Sequence, residues 1–402
     1  MTRFIWQPER QPLIESCGGV WGSDPHFDAP PRQAIDSSMK RALRRVHKYL
    51  SLTMAAMWLL QAATGVLLVF HWELDDWTVS GPRKSLNPEK LGASLELLQN
   101  ARSGQRVTAL YTSGGLPGRF DVVITNPTGG RDVLRVDGEG AVLRERPWDH
   151  DYAHIGAFQI ATYLHQTLFL HTAGNWTIGL SGILLFSNIC LGMYQAWPRA
   201  GQWLRTLSPF TVGHPAAQLY HWHRALGLAL ALPALVLVCA GIVRAFDDPL
   251  AAHFEAARPP PTGTSAQAQS RLQPPTLANV ISTALALYPG SSLAGVELPD
   301  SDAPWFAVRI TQSHDVRRFF GTTIVYIAIQ DGGVLENYDA RLMPPSVQIW
   351  DTVYALHTGE IAGIPGRCLV VLIGVALLVL IALGLTLYFL RRGRPREPRP
   401  HP

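Results

Sequence analysis

Charge is what this sequence has least of: Asp, Glu, Lys and Arg make up 16% of 402 residues, against an apolar share of 47%. Soluble domains carry about 25% charged residues, so a chain built only of water-facing domains is excluded. Cysteine is scarce as well. Cys17, Cys190, Cys239 and Cys368 are too widely spaced for a C-x-x-C site, and the last three lie inside apolar runs. They read as small buried side chains, and no disulfide framework is expected. Residues 1–40 are polar and proline-rich with no apolar centre, so no signal peptide is expected. A phosphate-binding glycine loop, a flavin or nicotinamide fingerprint, a nucleophile elbow and a zinc motif are all missing. If this chain handles electrons, their source lies elsewhere. The net charge of +4 is small, and no nucleic-acid partner is expected.

What is present is apolar sequence in blocks of membrane length. Residues 1–38 read as a poorly ordered cytoplasmic tail, followed by a first membrane helix within 39–72. Residues 73–154 form a polar insert. A second apolar region, 155–198, is too long for one span. It reads as an interfacial helix plus a second span, with the break expected at Gly174. A loop (199–217), a third span (218–246) and a second insert (247–350) come next. An interfacial segment with the fourth span (351–392) and a tail (393–402) complete the chain. The first insert shows an amphipathic helix near 86–100 and strands near 107–111, 120–125, 132–136 and 141–144. The second shows a helix near 276–288 and strands near 305–311, 322–330 and 334–338. Each insert reads as a small α+β domain of its own. Basic residues cluster at Lys40–Lys48, at Arg199 and Arg205, and from Arg391 onward. By the positive-inside rule these ends are cytoplasmic and both inserts periplasmic, in a bacterial inner membrane. Trp72, Trp77, Trp176, Trp197 and Trp203 fall at span ends, the usual interfacial belt.

The two halves repeat. Residues 41–199 match 217–394 as span, insert, span, which points to an α-helical integral membrane protein with a four-span bundle made by internal duplication. Four histidines, His47, His165, His223 and His357, come after an apolar residue near the ends of these spans. Gly65 and Gly241 lie 18 residues after His47 and His223. After His165 and His357, glycines recur at +9, +17 and +27: Gly174, Gly182 and Gly192 in one half, Gly366, Gly374 and Gly384 in the other. A pseudo-two-fold axis along the membrane normal would set His47 opposite His223 and His165 opposite His357. Paired imidazoles in a helix bundle are suited to holding haem iron from both sides. The expectation is therefore two b-type haems with these four histidines as axial ligands. Eighteen residues is five helical turns, so Gly65, Gly241, Gly192 and Gly384 are expected to let the macrocycles come close. His171 and His221 remain open as alternate ligands, and His71 as an alternate or a partner for a propionate. Arg44, Arg45 and Arg224 are candidates for propionates. His150 and His154, four apart, read as surface residues before a weak metal site.

The stretches LHQTLFLHTAGNW and LHTGEIAGIPGR, with inserts that turn at Asp137–Val142 and Asp331–Val334, resemble the PepSY-associated transmembrane helix family over about residues 40–394. The resemblance implies two periplasmic PepSY-like inserts. It also implies kinship with iron-regulated inner-membrane proteins, some of them di-haem siderophore-iron reductases. The partners implied are a ferric siderophore or other ferric chelate, a cytoplasmic or quinol electron donor, and the lipid bilayer. Arg317, Arg318, Phe319 and Phe320 are candidates for a docking surface. The rival reading is a haem-free, membrane-anchored PepSY module that binds or inhibits a protease or senses a ligand. A permease reading is weaker, since nothing resembles broken helices or acids at mid-membrane.

Overall fold

The computed structural model describes residues 32–208, 213–257, 261, 274–313, 315–316 and 320–392. The Pro-rich tail up to residue 31, Pro259-Pro260, the docking candidates Arg317, Arg318 and Phe319, and the basic residues beyond 392 lie outside them. Met1–Ala42 separates as one compact unit and Leu43–Pro402 as another. Of the first, only the start of a helix is described; the site and the sheet belong to the second.

The first half runs α1 (Arg32–Leu68), α2 (His71–Trp77), α3 (Pro88–Ala101), β1 (Arg106–Thr112), β2 (Arg119–Thr125), β3 (Arg131–Asp137), β4 (Val142–Pro147), α4 (Ala157–Gln166) and α5 (His171–Ala196). A short α6 (Trp203–Leu207) bridges to the second half. That half runs α7 (Pro215–Ala245), α8 (Asp247–His253), α9 (Leu277–Leu287), β5 (Ser292–Glu297), β6 (Trp305–Thr311), β7 (Thr323–Ala328), β8 (Val334–Tyr338), α10 (Pro345–Thr358) and α11 (Gly363–Arg392). The same succession of elements thus occurs twice. Four helical segments are long and apolar enough to cross a membrane: Ser38–Leu68, His171–Ala196, Pro215–Ala245 and Glu360–Arg392. The chain is an α-helical membrane protein.

Several expectations need correcting. The tail does not reach residue 38, because α1 already begins at Arg32. The chain does not break at Gly174, which lies inside α5. It breaks at 167–170, where Leu168, Phe169 and then His171 take positive φ. In the second half Gly359 (φ 80°) and Gly363 (φ 58°) make the corresponding break, so a glycine-based reading finds one turn and misses the other. α10 starts at Pro345, inside the stretch read as the second insert. The strand β5 was not foreseen, because Gly295 interrupts its apolar alternation.

That strand changes the architecture. The two inserts are not separate domains: they share one antiparallel sheet of eight strands in the order β4-β3-β2-β1-β5-β6-β7-β8. The seam is β1 against β5, with Leu110 opposite Val296 and Tyr111 opposite Gly295. Alternation along the strands separates two faces. Leu110, Val122, Leu134, Val296, Val308 and Val325 point to one face, where they form a single core with Leu91 and Leu95 of α3 and Val280, Ile281 and Ala284 of α9. α3 and α9 pack side by side over the seam. Half of this layer would leave its apolar face open, so each half completes the other's core. The opposite face carries a transverse row, Arg144–Arg135–Asp121–Tyr111–Gly295–Arg309, which is polar and turned toward the helix bundle.

Candidate functional site

The four histidines stand on four different helices. His47 and His223 lie on α1 and α7, far from the sheet; His165 and His357 lie in the last turns of α4 and α10, on the sheet side. The imidazoles of His165 and His357 face one another across the halves, with ring centroids 6.2 Å apart and planes 31° from parallel. His47 and His223 line the other end of the same cavity.

Each ring is oriented through Nδ1. His47 lies 3.1 Å from the carbonyl of Asn188, His223 3.1 Å from that of Leu380, and His357 3.1 Å from that of Leu237. A carbonyl only accepts, so in each case Nδ1–H donates and Nε2 keeps its lone pair. His165 also bonds a helix carbonyl, that of Gln61, and adds a side-chain partner. Its Nδ1 meets Thr64 Oγ1 at 3.0 Å, and that hydroxyl already donates to the Leu60 carbonyl at 2.7 Å. The bonds stay within each half, whereas the ring pairing crosses between halves.

The glycines explain how an imidazole reaches a helix carbonyl. Gly192, Gly384 and Gly241 lie four residues after Asn188, Leu380 and Leu237, and Gly65 four after Gln61. In an α-helix the carbonyl of residue i points at residue i+4, so a side chain there would stand in the way. A Cβ at Gly241 would come 2.8 Å from His357 Cε1; at Gly65, 3.1 Å from His165 Cε1; at Gly192, 3.1 Å from His47 Cε1; at Gly384, 3.5 Å from His223 Cε1. What these four glycines make room for first is the imidazole itself. The other matched glycines have distinct work. Gly174 and Gly366 press on the turns after α4 and α10, where a Cβ would strike the carbonyl oxygens of Thr167 and Gly359. Gly182 admits Ile242 of α7 and Gly374 admits Val66 of α1, so these two hold helices of opposite halves together.

All four histidines line one cavity of about 1470 Å³, as do the four glycines that abut them. Single ligand pockets measure about 300–1,000 Å³, so this space exceeds one ordinary cofactor site. Its sheet-distal mouth carries Arg44, Arg45, Lys48, Arg224 and Arg391. Its other end reaches the polar face of the sheet, at Tyr111 and Asp121 of that row and at Arg131 and Arg146 beside it. His71 lines it too, stacked on Trp72 with centroids 4.4 Å apart. The alternates His171 and His221 do not line it: His171 is exposed, and His221 packs against Tyr220. Phe320 does, with its ring against Tyr111. His150 turns to the Arg131 carbonyl and His154 to Asp151. Among the described residues no cluster of three or more His, Cys, Asp or Glu could hold a metal ion.

The sequence reading missed the joint between bundle and sheet. α2 comes directly after the first span and carries Glu73, Asp75 and Asp76. Asp75 receives Arg144 at 2.6 Å, Arg135 at 3.0 Å and Arg146 at 3.1 Å. Asp76 receives Arg119 at 2.8 Å and also Arg83. Burial alone would raise the pKa of Asp75, but the guanidiniums of Arg146, Arg144 and Arg135 outweigh it and hold the carboxyl below its ordinary value. Glu73 turns the other way, to Arg367 at the start of α11. Sequence could have flagged Asp75-Asp76 just outside an apolar span, but not which of many arginines they meet.

A sheet seated against helices of membrane length, with four histidines lining one cavity among them, defines a class of α-helical membrane protein. The profile described as PepSY-associated TM region matches residues 44–392, and the chain belongs to that family. No curated protein matches the chain significantly.

Proposed function

We propose that this protein arose by internal duplication, spans the bacterial inner membrane four times and carries two b-type haems. On this reading it passes electrons from a cytoplasmic or quinol donor to a ferric chelate, such as a ferric siderophore, in the periplasm. The observation that carries the proposal is the paired imidazoles, each with Nδ1 committed and Nε2 left as the donor atom. The His165–His357 separation of 6.2 Å fits one metal between them. The cavity supplies the room, and the carbonyl and hydroxyl partners supply the outer shell that orients such ligands.

His165 and His357 would hold one haem and His47 and His223 the other. Bound there, the pair would supply one-electron redox chemistry at two depths of the bilayer. The residues around them do the rest. Arg44, Arg45, Arg224 and Arg391 offer counter-charge for propionates at the sheet-distal mouth. The apolar spans exclude water between the levels. The basic ends at Lys40–Lys48, Arg199 and Arg205, and Arg391-Arg392 favour the cytoplasm, which leaves the shared sheet in the periplasm. Its polar row and the cavity end beneath it form the surface where a chelate would dock. Each ferric ion takes one electron, and the Fe(II) so formed binds hard oxygen donors less tightly. A haem-free anchor for a regulatory PepSY module would need none of the four imidazole–glycine contacts.

The test is an absorption spectrum of the purified full chain before and after dithionite, with a pyridine haemochrome count. Two b haems per chain with low-spin bands are expected, and the reduced protein should be reoxidised by a ferric chelate. Protein expressed with ample haem that contains none would end this reading, and the sheet would then be tested as a binding module.

A further inference from the structure

The cavity is charged differently at its two ends. At the sheet end the cations that line it are paired: Arg131 with Asp149 at 2.6 Å, Arg146 with Asp75 at 3.1 Å, and Arg244 with Asp247. The carboxylates that line the cavity, Asp75, Asp121, Asp247, Asp248 and Glu360, also stand at that end. The sheet-distal mouth has five cations, Arg44, Arg45, Lys48, Arg224 and Arg391. The helix stretches that form this end, residues 43–58, 184–196, 215–230 and 380–392, contain no Asp or Glu. Lys48 stands over the Tyr49 ring, Arg391 over that of Tyr220, and Arg224 donates to the Ala196 carbonyl at 2.8 Å. None of these contacts cancels a charge.

A positive-inside bias accounts for cations on this side of a bilayer, but not for their place around the opening of a cavity. A haem at the His47/His223 site brings two propionates, which leaves the mouth net positive. Cations of one sign around an apolar cleft focus their field into solution and draw in an oppositely charged partner. A quinol is neutral and arrives through the bilayer, so it gains nothing from that field. A nicotinamide gives a hydride, whereas a ferric haem takes a single electron, and the chain lacks a nicotinamide fingerprint. What fits is a protein that carries one electron and presents carboxylates around its redox centre.

We propose that the sheet-distal mouth is the docking surface for a small soluble electron-carrier protein with an acidic face, which reduces the His47/His223 site directly. The reduced carrier loses one electron, the ferric haem gains it, and no bond or proton changes hands. The inference rests on the di-haem reading above and decides between the two donors that reading allows. Complementary charge of this kind acts chiefly on the rate of encounter, and salt screens it.

The experiment is stopped-flow reduction of the haems in the purified full chain. A reduced plant-type ferredoxin serves as the acidic one-electron carrier and a water-soluble quinol as the neutral reductant. The second-order rate with ferredoxin should fall about tenfold or more from low to high salt, as steered encounters do, while the quinol rate stays level. Lys48 and Arg392 are both exposed and stand outside the arginines offered to propionates. In the double variant Lys48→Glu/Arg392→Glu the ratio of the ferredoxin rate to the quinol rate should fall several-fold at low salt, and its salt dependence should flatten. If the reversal prevents membrane insertion, Lys48→Gln/Arg392→Gln carries the same test with a smaller drop. A ferredoxin rate that ignores salt, a variant with the parent's ratio, or haems reduced by the quinol and not by ferredoxin would each overturn the proposal. The cations would then serve lipid headgroups alone. A parent protein without haem would instead sink the di-haem reading, a result visible before any carrier is added.

Discussion

On the di-haem reading, replacing Gly241 by leucine is expected to remove one of the two proposed haems as completely as replacing His357 by alanine. Helix geometry is enough to see why. His357 reaches the Leu237 carbonyl because residue 241, one turn on, has no side chain. A Cβ there would already lie 2.8 Å from His357 Cε1, closer than real Cβ contacts come. The ring cannot back away without leaving its carbonyl, and on its other side stands His165. Leucine adds three more carbons in the same direction, so the imidazole must leave. The helix itself should not suffer, since Gly in a helix interior is about 1 kcal/mol worse than Ala and leucine is among the good helix formers. Haem per chain should fall from two to one while circular dichroism stays helical. Alanine substitutions should grade with distance: strongest at Gly241, intermediate at Gly65 and Gly192 (both 3.1 Å), near neutral at Gly384 (3.5 Å). A Gly241→Leu protein that keeps both haems would refute this account of how the ring is seated.

The glycines also show how far the sequence could be read. Their spacing pointed to two matching halves, and that match set His165 opposite His357, whose rings do face one another. Both stem from helical periodicity, which a sequence carries openly. The task of each glycine was not legible, because it depends on which neighbouring helix it meets. Gly65 and Gly192 abut imidazoles, Gly182 a neighbouring span, and Gly174 its own preceding turn. The shared sheet was hidden for a similar reason. β5 is six residues with a glycine at its centre, and neither its pairing with β6 nor the seam it makes with β1 of the other half shows in its own pattern. The turn at 167–170 was hidden because non-glycine residues make it. Local pattern located the elements, and contacts between distant segments decided what they do.

Arg367 was legible as part of the IPGR stretch before the last span, yet its role emerges only from the fold. It is almost fully buried, 3% exposed, at the start of α11. Its guanidinium pairs with both carboxylate oxygens of Glu73, at 2.6 and 2.8 Å, donates to the Val69 carbonyl, and lies 4.1 Å over the Phe70 ring. One side chain therefore ties the fourth span to the end of the first span and to α2, from which Asp75 and Asp76 reach the sheet. At the equivalent place in the first half stands Asn175, which cannot make such a pair. Removing one partner of a buried ion pair costs about 3–5 kcal/mol, and Glu73 is partly open to solvent, which favours the lower end. Arg367→Ala should lower the thermal midpoint in detergent by several degrees or more. Arg367→Lys should recover little of it, because an ammonium cannot bridge both oxygens and the carbonyl while stacking on Phe70. Glu73→Gln should cost less than Arg367→Ala, since the Val69 and Phe70 contacts survive. Helical circular dichroism on heating reads all three. A lysine variant as stable as the parent would mean that position 367 needs only a positive charge, and that the joint between the two halves is held elsewhere.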